Sequence, residues 1–549
     1  MAVVRTLCGQ CAVGCGVRAV TGEGREMSFA GDRVHPANGG LLCGQSDALT
    51  AMLPLEGRLL HPVLDGQRVT WRRMIGQVAR RLKDTLARHG PGSVAMHVTG
   101  DLLTEDYYVA NKLMKGFIGS AHIDGPCWNE GGMEAAYRAA LGEDVVPGTY
   151  EDVEQADLIL AVGASALLRH PVLAERIAMA REQRGVRLVL LTEGEDVQEE
   201  VGADLRLKVE PGSAAVLLNG LLLHAHDCGC LADVFMARHV MTAGDFWTRL
   251  RLDHDLWSVA RRCGLGHGEV RAFYDLFTPA RRVVTLYGPA AEGDDLSLSR
   301  AILNLHLAMG WIGAPGAAPT GIARAPNAMG AREVGCDSRQ LAAHRDFSAD
   351  AIAQTARFWG ARQMAAATGL AGAALVEAIE NGGIRALWLV GGLPPAGHPL
   401  RAALAKVPSV ILSTAWIEQG IALDHVFALP APVWIEKDGT ITGADRLISR
   451  QRRLFPLPGE AKPDWWSLTQ VARAMGWHDA FHYERAAEIH REHARLTAYH
   501  NEGERLLNLR RHAPISNPAY DELTPWRWGE TPFDEGRFPT SDGNARLIL

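Results

Sequence analysis

Apolar residues recur every three to four positions through "WRRMIGQVARRLKDTLARHG" (71–90), which predicts an amphipathic helix that Gly90 ends. "SVAMHVTG" (93–100) reads as a buried strand, and "TEDYYVANKLMKGFIG" (104–119) as a helix opened by Thr104 and stopped by Gly119. From about residue 150 the rhythm becomes alternating. "ADLILAVGA" (156–164) and "VRLVLLT" (186–192) are short apolar strands flanking the helical "HPVLAERIAMAREQRG" (170–185). Pro171 at the first helical position suits that helix start. "PGSAAVLLNGLLLHAHDCG" (211–229) predicts a further helix. "RRVVTLYG", "IRALWLVGG", "SVILST" and "DHVFALP" predict strands at 281–288, 384–392, 409–414 and 424–430. Alternating β and α units imply an α/β protein with doubly wound parallel sheets. No repeat is evident, and about 480–549 shows no clear period.

Composition narrows the class. The chain has 549 residues, 47% hydrophobic and 22% charged, as expected of several globular domains. Its net charge of −7, from 56 basic against 63 acidic residues, gives no electrostatic case for nucleic acid or an anionic membrane. No apolar run approaches the ~18 residues of a membrane span. "MAVVRTLCGQC" leaves no room for a leader before structure begins, so a cytoplasmic location is expected. There, nine cysteines are not expected to form a disulfide framework.

Four of the nine crowd the first 43 residues. Cys8, Cys11, Cys15 and Cys43 form a C-x2-C-x3-C-x27-C pattern, with Gly9, Gly14 and Gly16 between or beside the first three. Three thiolates on one tight loop can hold three corners of a cubane, and a distant fourth closes it. A four-cysteine zinc site is the alternative, but it usually shows two separated C-x2-C pairs, and only one is present. The spacing therefore points to a [4Fe-4S] cluster. "MSFAGDRVHPANGG" (27–40) alternates as a strand and then turns, which would carry Cys43 back under the loop. Cys228, Cys230, Cys263 and Cys336 lack ligand spacing, and "GLGHGE" (264–269) is too isolated to be a phosphate loop.

The cysteine pattern, "GDRVHPANGGLLC" (31–43) and the α/β body together resemble the molybdopterin-dependent oxidoreductases, in particular the assimilatory nitrate reductase large subunit. "LLTEDYYVANKLMKGFIG" (102–119), "PNAMGAREVG" (326–335), "QLAAHRDF" (340–347), "EKDGTIT" (436–442), "ISRQRRLFPLPGEAKPDWW" (448–466) and "RFPTSDGNARL" (537–547) carry the likeness. The resemblance implies a [4Fe-4S] domain over 1–58 and a discontinuous α/β domain from 59–130 plus 331–470. It further implies a Rossmann-like domain over 131–330 and an irregular segment over 471–549. It also implies a cluster that feeds a molybdenum held by two molybdopterin guanine dinucleotides. In the family a further domain follows "RFPTSDGNARL" and closes over the pterins; two residues follow it here, so that domain is expected to be absent or on a separate chain.

Positions that touch the pterins in the family depart from its pattern. Gln45 stands for a lysine between cluster and pterin, and Gly163-Ala164-Ser165 for Gly-Ser-Asn. Glu193, Glu195 and Asp196 occupy the nucleotide-binding turn, and Ala214 replaces the carboxylate that grips guanine. "GGLPP" (391–395) replaces a Thr-Asn-Pro turn, Gly443 an asparagine, and Ala325 a glutamine. In "HIDGPCWNEGGMEAAY" (122–137), Asp124 and Tyr137 match the family's anchors. Cys127 falls three residues before the expected molybdenum-ligand position, which lands near Glu130. Cys127 and Glu130 are therefore weak candidate ligands, and Arg332, with Met329, is a candidate lining a substrate funnel. The expectation is a cluster-bearing electron-transfer or scaffold subunit with a redox partner and an eroded molybdopterin site. The alternative is an active molybdenum-dependent, nitrate reductase-like oxidoreductase with a divergent or split cofactor site.

Overall fold

The computed structural model describes residues 2–125, 132–163, 165–194, 202–288, 296–416 and 426–549, without the side chains of Ala2, Ser165 and Ala166. An antiparallel sheet opens the chain: β1 (Ala2–Leu7), β2 (Gly16–Thr21) and β3 (Met27–Gly31), in that order. Two parallel sheets follow. The first has the order 67–68, 63–64, 426–430, 410–414, 386–390, 94–98, 123–124, and its five strands from 426–430 onward are parallel. The second is entirely parallel, in the order 205–209, 187–193, 158–162, 283–287, 318–321.

Helices cover both faces of these sheets, so their central strands are apolar on both sides. Leu158–Val162, Val283–Tyr287, Ala386–Val390 and Val410–Thr414 are buried at every position. In each parallel sheet the connections reverse direction once, between 94–98 and 386–390 and between 158–162 and 283–287. Such reversals open crevices beyond the carboxyl ends of the strands, where ligands bind in open α/β sheets.

Two expectations change. The helix at Thr104 is α-helical only to Asn111 and then widens into a π-helix, Lys112–Ile118. The wider turn carries two buried lysines: Lys112 reaches Glu492 at 2.6 Å, and Lys115 donates to the carbonyls of Gly335 and Gln340. Leu103 rather than Thr104 is the cap residue, its amide donating to Asp106 at 3.1 Å. The stretch expected to be irregular contains a helix, Ala486–Ala498, whose buried face mixes Ile489 and Leu496 with His490, Glu492 and His493. Those buried polar residues hide its period. This segment also ties the units together, because Trp526–Arg527 pairs with Leu447–Ile448 and Ala545–Arg546 pairs with Val240–Met241. No helix among the described residues is long and apolar enough to cross a membrane.

Asp106 caps two helices at once, accepting also from the Trp465 amide at 2.9 Å at the start of Asp464–Met475. Burial and then the Asp106 charge push the Asp464 carboxyl well above its usual range. Between the ordinary aspartate range and that raised value, folded Asp464 keeps a proton that the unfolded chain has lost, so its contribution to stability falls as pH rises. Asp464→Asn removes this loss. The variant is expected to melt with the wild type near pH 3.5 and to gain roughly 1–3 kcal/mol on it by pH 8. Paired thermal melts across that range check this, and a constant offset at every pH would contradict it.

Candidate cluster and cofactor site

The hairpin of β1 and β2 closes with Leu7 opposite Gly16, leaving residues 8–15 as its tip. This tip carries Cys8, Cys11 and Cys15, drawn together where the Cys8 amide donates to the Cys15 carbonyl at 2.9 Å. Gly14 turns the loop at a φ of +68°, which side-chain-bearing residues rarely adopt. Cys43 arrives from the segment after β3. Asn38 ties that segment back, accepting from the Gly16 amide at 2.8 Å and donating to the carbonyls of Gly16 and Leu41 at 3.1 and 2.7 Å.

The body of the protein fixes the loop from outside. Trp434 Nε1 donates to the Leu7 carbonyl at 2.9 Å, and a Cβ on Gly9 would lie 2.3 Å from the Trp434 ring. Tyr150 Oη and the Ala444 amide both donate to the Ala12 carbonyl at 3.0 Å. Arg176 Nη1 donates to the carbonyls of Pro36 and Ala37 at 3.0 and 2.9 Å. Asn38, Trp434, Tyr150 and Arg176 escaped the sequence reading. Only the asparagine within a glycine-rich turn hinted at its role.

Cys8 and Cys15 are buried, Cys11 and Cys43 half-buried. Burial pushes Cys8 up to about 12 and Cys11 to about 11, and lifts Cys15 further. The charges of neighbouring thiols add to each shift, and Cys15 senses all three others. Thiolates here need a strong positive partner, which iron supplies. Among the described residues no group of three or more His, Cys, Asp or Glu converges as a single-ion site. The thiols sense one another, and the donor set fits a [4Fe-4S] cluster.

Positions associated with a pterin behave differently. Gln45 is exposed in the short turn Gly44–Asp47 and brings no charge. Glu193, at the carboxyl end of its strand, accepts from the Ala214 amide at 2.9 Å and so caps the helix Ala214–Asp227 with a carboxylate of the chain itself. A helix N-terminus is where a phosphate would bind, and a fixed carboxylate there repels one. Gly443 lies against the cluster loop; a Cβ there would come within 3.2 Å of Asp445 and about 3.5 Å of the Val13 carbonyl. Ala325 is half-buried and cannot replace the hydrogen bonds of an amide. Gly391 and Gly392 turn at φ of +93° and +141°, before Pro394. At these described positions the side chains that the family's pattern would bring to a pterin dinucleotide are replaced. Ala164, Glu195 and Asp196 lie outside the described residues, as does the side chain of Ser165.

Cys127 and Glu130 also lie outside the described residues. Their anchor Asp124 does not: it accepts from His97 Nδ1 at 2.7 Å and from the Gly372 amide at 2.9 Å. Arg332 is buried, its Nε donating to Asp144 at 2.8 Å and its Nη2 to the other oxygen of the same carboxylate. Against burial, Arg332 holds the Asp144 carboxyl below its usual range. Met329 is buried beside it in sequence. The cysteines of the cluster loop and Arg332 thus belong to two separate polar centres.

The molybdopterin oxidoreductase Fe4S4 domain model matches residues 1–51, and the molybdopterin oxidoreductase model matches residues 58–474. A nitrate reductase of Klebsiella oxytoca is 41% identical over 565 residues, covering 100% of this chain and 64% of that protein. A nitrate reductase of Shewanella frigidimarina (strain NCIMB 400) is 34% identical over 581 residues, covering 100% of this chain and 61% of that protein. The chain therefore spans less than two thirds of the length of either. Acetylene hydratase from Pelobacter acetylenicus shares the fold, with a TM-score of 0.76 at 16% identity over 99% of this chain and 77% of that one.

The contact between Gly9 and Trp434 sets a direct test. Gly9→Ala forces a methyl group into the indole ring and is expected to lower iron and acid-labile sulfide per chain at least twofold. Gly76→Ala, in open space on a helix, serves as control and should leave both unchanged. Full iron in Gly9→Ala would show that the indole does not hold the loop.

Proposed function

This chain belongs to the molybdopterin oxidoreductase family, and from that premise we propose that it is a [4Fe-4S]-carrying electron-transfer or scaffold subunit whose molybdopterin site has eroded. Cys8, Cys11, Cys15 and Cys43 hold the cluster, and a companion chain supplies the chemistry that the electrons serve. The observation that carries this reading is the Glu193 carboxylate seated on the amide of Ala214. It supports loss of the dinucleotide because it fills, with the wrong charge, a helix start that a phosphate would need. Gln45, Ala214, Ala325 and Gly443 add to it, since Gln45 lacks the lysine's charge and the other three lack any side-chain donor or acceptor for a buried cofactor, whose unpaired polar groups cost ~1–3 kcal/mol. The cytoplasm is the proposed compartment, where exposed Cys228 and half-buried Cys230 stay reduced.

The alternative is an active molybdenum-dependent nitrate reductase-like enzyme with a divergent or split cofactor site. It draws on the 41% identity to the Klebsiella oxytoca nitrate reductase and on the intact Arg332–Asp144 pair. Metal analysis separates the two. Protein purified without oxygen is expected to contain about four irons and four sulfides per chain, as a cubane requires, with molybdenum far below stoichiometry. Molybdenum near one per chain, together with nitrate reduction by a reduced viologen, would move the assignment to the alternative.

A further inference from the structure

The helix Ala214–Asp227 runs out into "HAHDCGC" (224–230), which sets two cysteines on one loop of the second α/β unit. Among the described residues Cys228 is the one exposed cysteine, and Cys230, two positions on, is half-buried. Gly229 between them turns at a φ of +67°. Its amide donates to the His226 carbonyl at 3.1 Å, and the Cys230 amide donates to the Ala225 carbonyl at 2.8 Å. This is a Schellman end. A residue in the left-handed helical conformation holds the Cα atoms of its neighbours roughly 5.4 Å apart, within the span of a disulfide. The Cys230 thiol already turns back, donating to the Cys228 carbonyl at 3.7 Å.

His224 stands one helical turn before Cys228, whose Sγ lies 3.6 Å from Nε2 and 3.8 Å from Nδ1. The imidazole stacks on Tyr274 with ring centres 5.1 Å apart. Burial, and then the Arg271 charge, hold the His224 pKa below the ordinary imidazole range, so the ring is neutral near pH 7. A neutral imidazole keeps one N–H, which donates to the sulfur as it ionises. That donor offsets the carboxyl end of the helix, which disfavours a thiolate.

The same ring lines a cavity of about 180 Å³. The buried Tyr274 hydroxyl also lines it, packed so that a Cβ on Gly220 would lie 2.2 Å away, and has no hydrogen-bond partner among the described residues. Arg251 lies on the wall bound to Asp227, one Nη donating at 2.7 Å. Arg271 and Asp255 complete it, and Arg271 meets Asp275 only at 3.8 Å. A small cavity with charges of both signs and an unmet hydroxyl suits the amino and carboxyl groups of an amino-acid-like end.

We propose that Cys228 and Cys230 are a thiol–disulfide pair, oxidised by a small zwitterionic disulfide of the glutathione class whose amino-acid end sits in this cavity. The Cys228 thiol gives its proton to solvent and its sulfur attacks one sulfur of the small disulfide. That S–S bond breaks, a mixed disulfide forms on Cys228, and one small thiolate leaves and takes up a proton. Cys230 then loses its proton, attacks the Cys228 sulfur and expels the second small thiol. Two protein thiols lose two electrons and two protons, and the small disulfide gains both. The pair is reduced at rest, as a transient disulfide in a reducing compartment must be.

The full chain carrying its cluster is mixed with oxidised glutathione without oxygen, quenched with acid at intervals, and its thiols are mapped by mass spectrometry. The wild type is expected to accumulate a Cys228–Cys230 disulfide at unchanged iron content, and Cys230→Ser to stop with glutathione on Cys228. Arg271→Ala should slow the glutathione reaction at least fivefold and leave the reaction with uncharged hydroxyethyl disulfide unchanged. His224→Phe keeps a ring beside Tyr274 without the N–H and should slow both reactions at least fivefold; His224→Gln, which restores a donor, should recover most of the rate. Cys228 and Cys230 still reduced after other cysteines have reacted would overturn the proposal. A mixed disulfide that persists on wild-type Cys228 without closing to Cys230 would overturn the pairing. An Arg271→Ala rate equal to wild type with glutathione would overturn the cavity as the binding site.

Discussion

Buried thiols do not ionise readily, and three of the four at the N-terminal hairpin lie where burial and mutual repulsion hold them protonated. The rest of the cluster domain answers to that constraint. A polypeptide gains nothing from packing thiols so close unless a strongly positive centre joins them, because every pair of charges raises its neighbours. The carbonyls of Leu7 and Ala12 are taken by Trp434, Tyr150 and Ala444, so the loop is fixed by the body and does not depend on the hairpin alone. Asn38 performs the same service for the segment that brings Cys43. Cluster and α/β body are thus mechanically one object, and a small group added at Gly9 reaches both.

At the second parallel sheet the opposite logic holds. The helix start at Ala214, after the edge strand 205–209, carries unsatisfied amides and a partial positive charge. A bound phosphate can satisfy both. Here Glu193 does so from within the chain, at 2.9 Å from the Ala214 amide.

The sheets, the main helices and the Fe4S4 domain were legible because their signals are local or strongly periodic. "LILAV" is apolar throughout and "VVTLY" nearly so, as expected of strands buried on both faces. The helix Ala486–Ala498 was not legible, because His490, Glu492 and His493 are buried on the face where apolar residues would mark the period. The widening at Lys112 was hidden for a related reason: lysines read as surface residues, yet Lys112 is spoken for by Glu492, Tyr483 and the Ala480 carbonyl, some 370 residues away in sequence. The clasp on the cluster loop was equally silent, since Trp434 and Tyr150 meet it only through the tertiary fold.

Retention of Arg332 and Asp124 beside the departures at Gln45, Ala325 and Gly443 has a physical explanation that does not require catalysis. Arg332 is paired through both ends of its guanidinium to buried Asp144, and removing one partner of such a pair typically costs 3–5 kcal/mol. Asp124 accepts from His97 and from the Gly372 amide, joining two segments of the first sheet unit. Each is held by the fold whatever binds nearby. Gln45 is exposed and Ala325 is half-buried, so the fold asks little of their side chains, whereas Gly443 is kept small by Asp445 and the Val13 carbonyl. Survival of a family residue is therefore informative only where its sole partner would be the ligand.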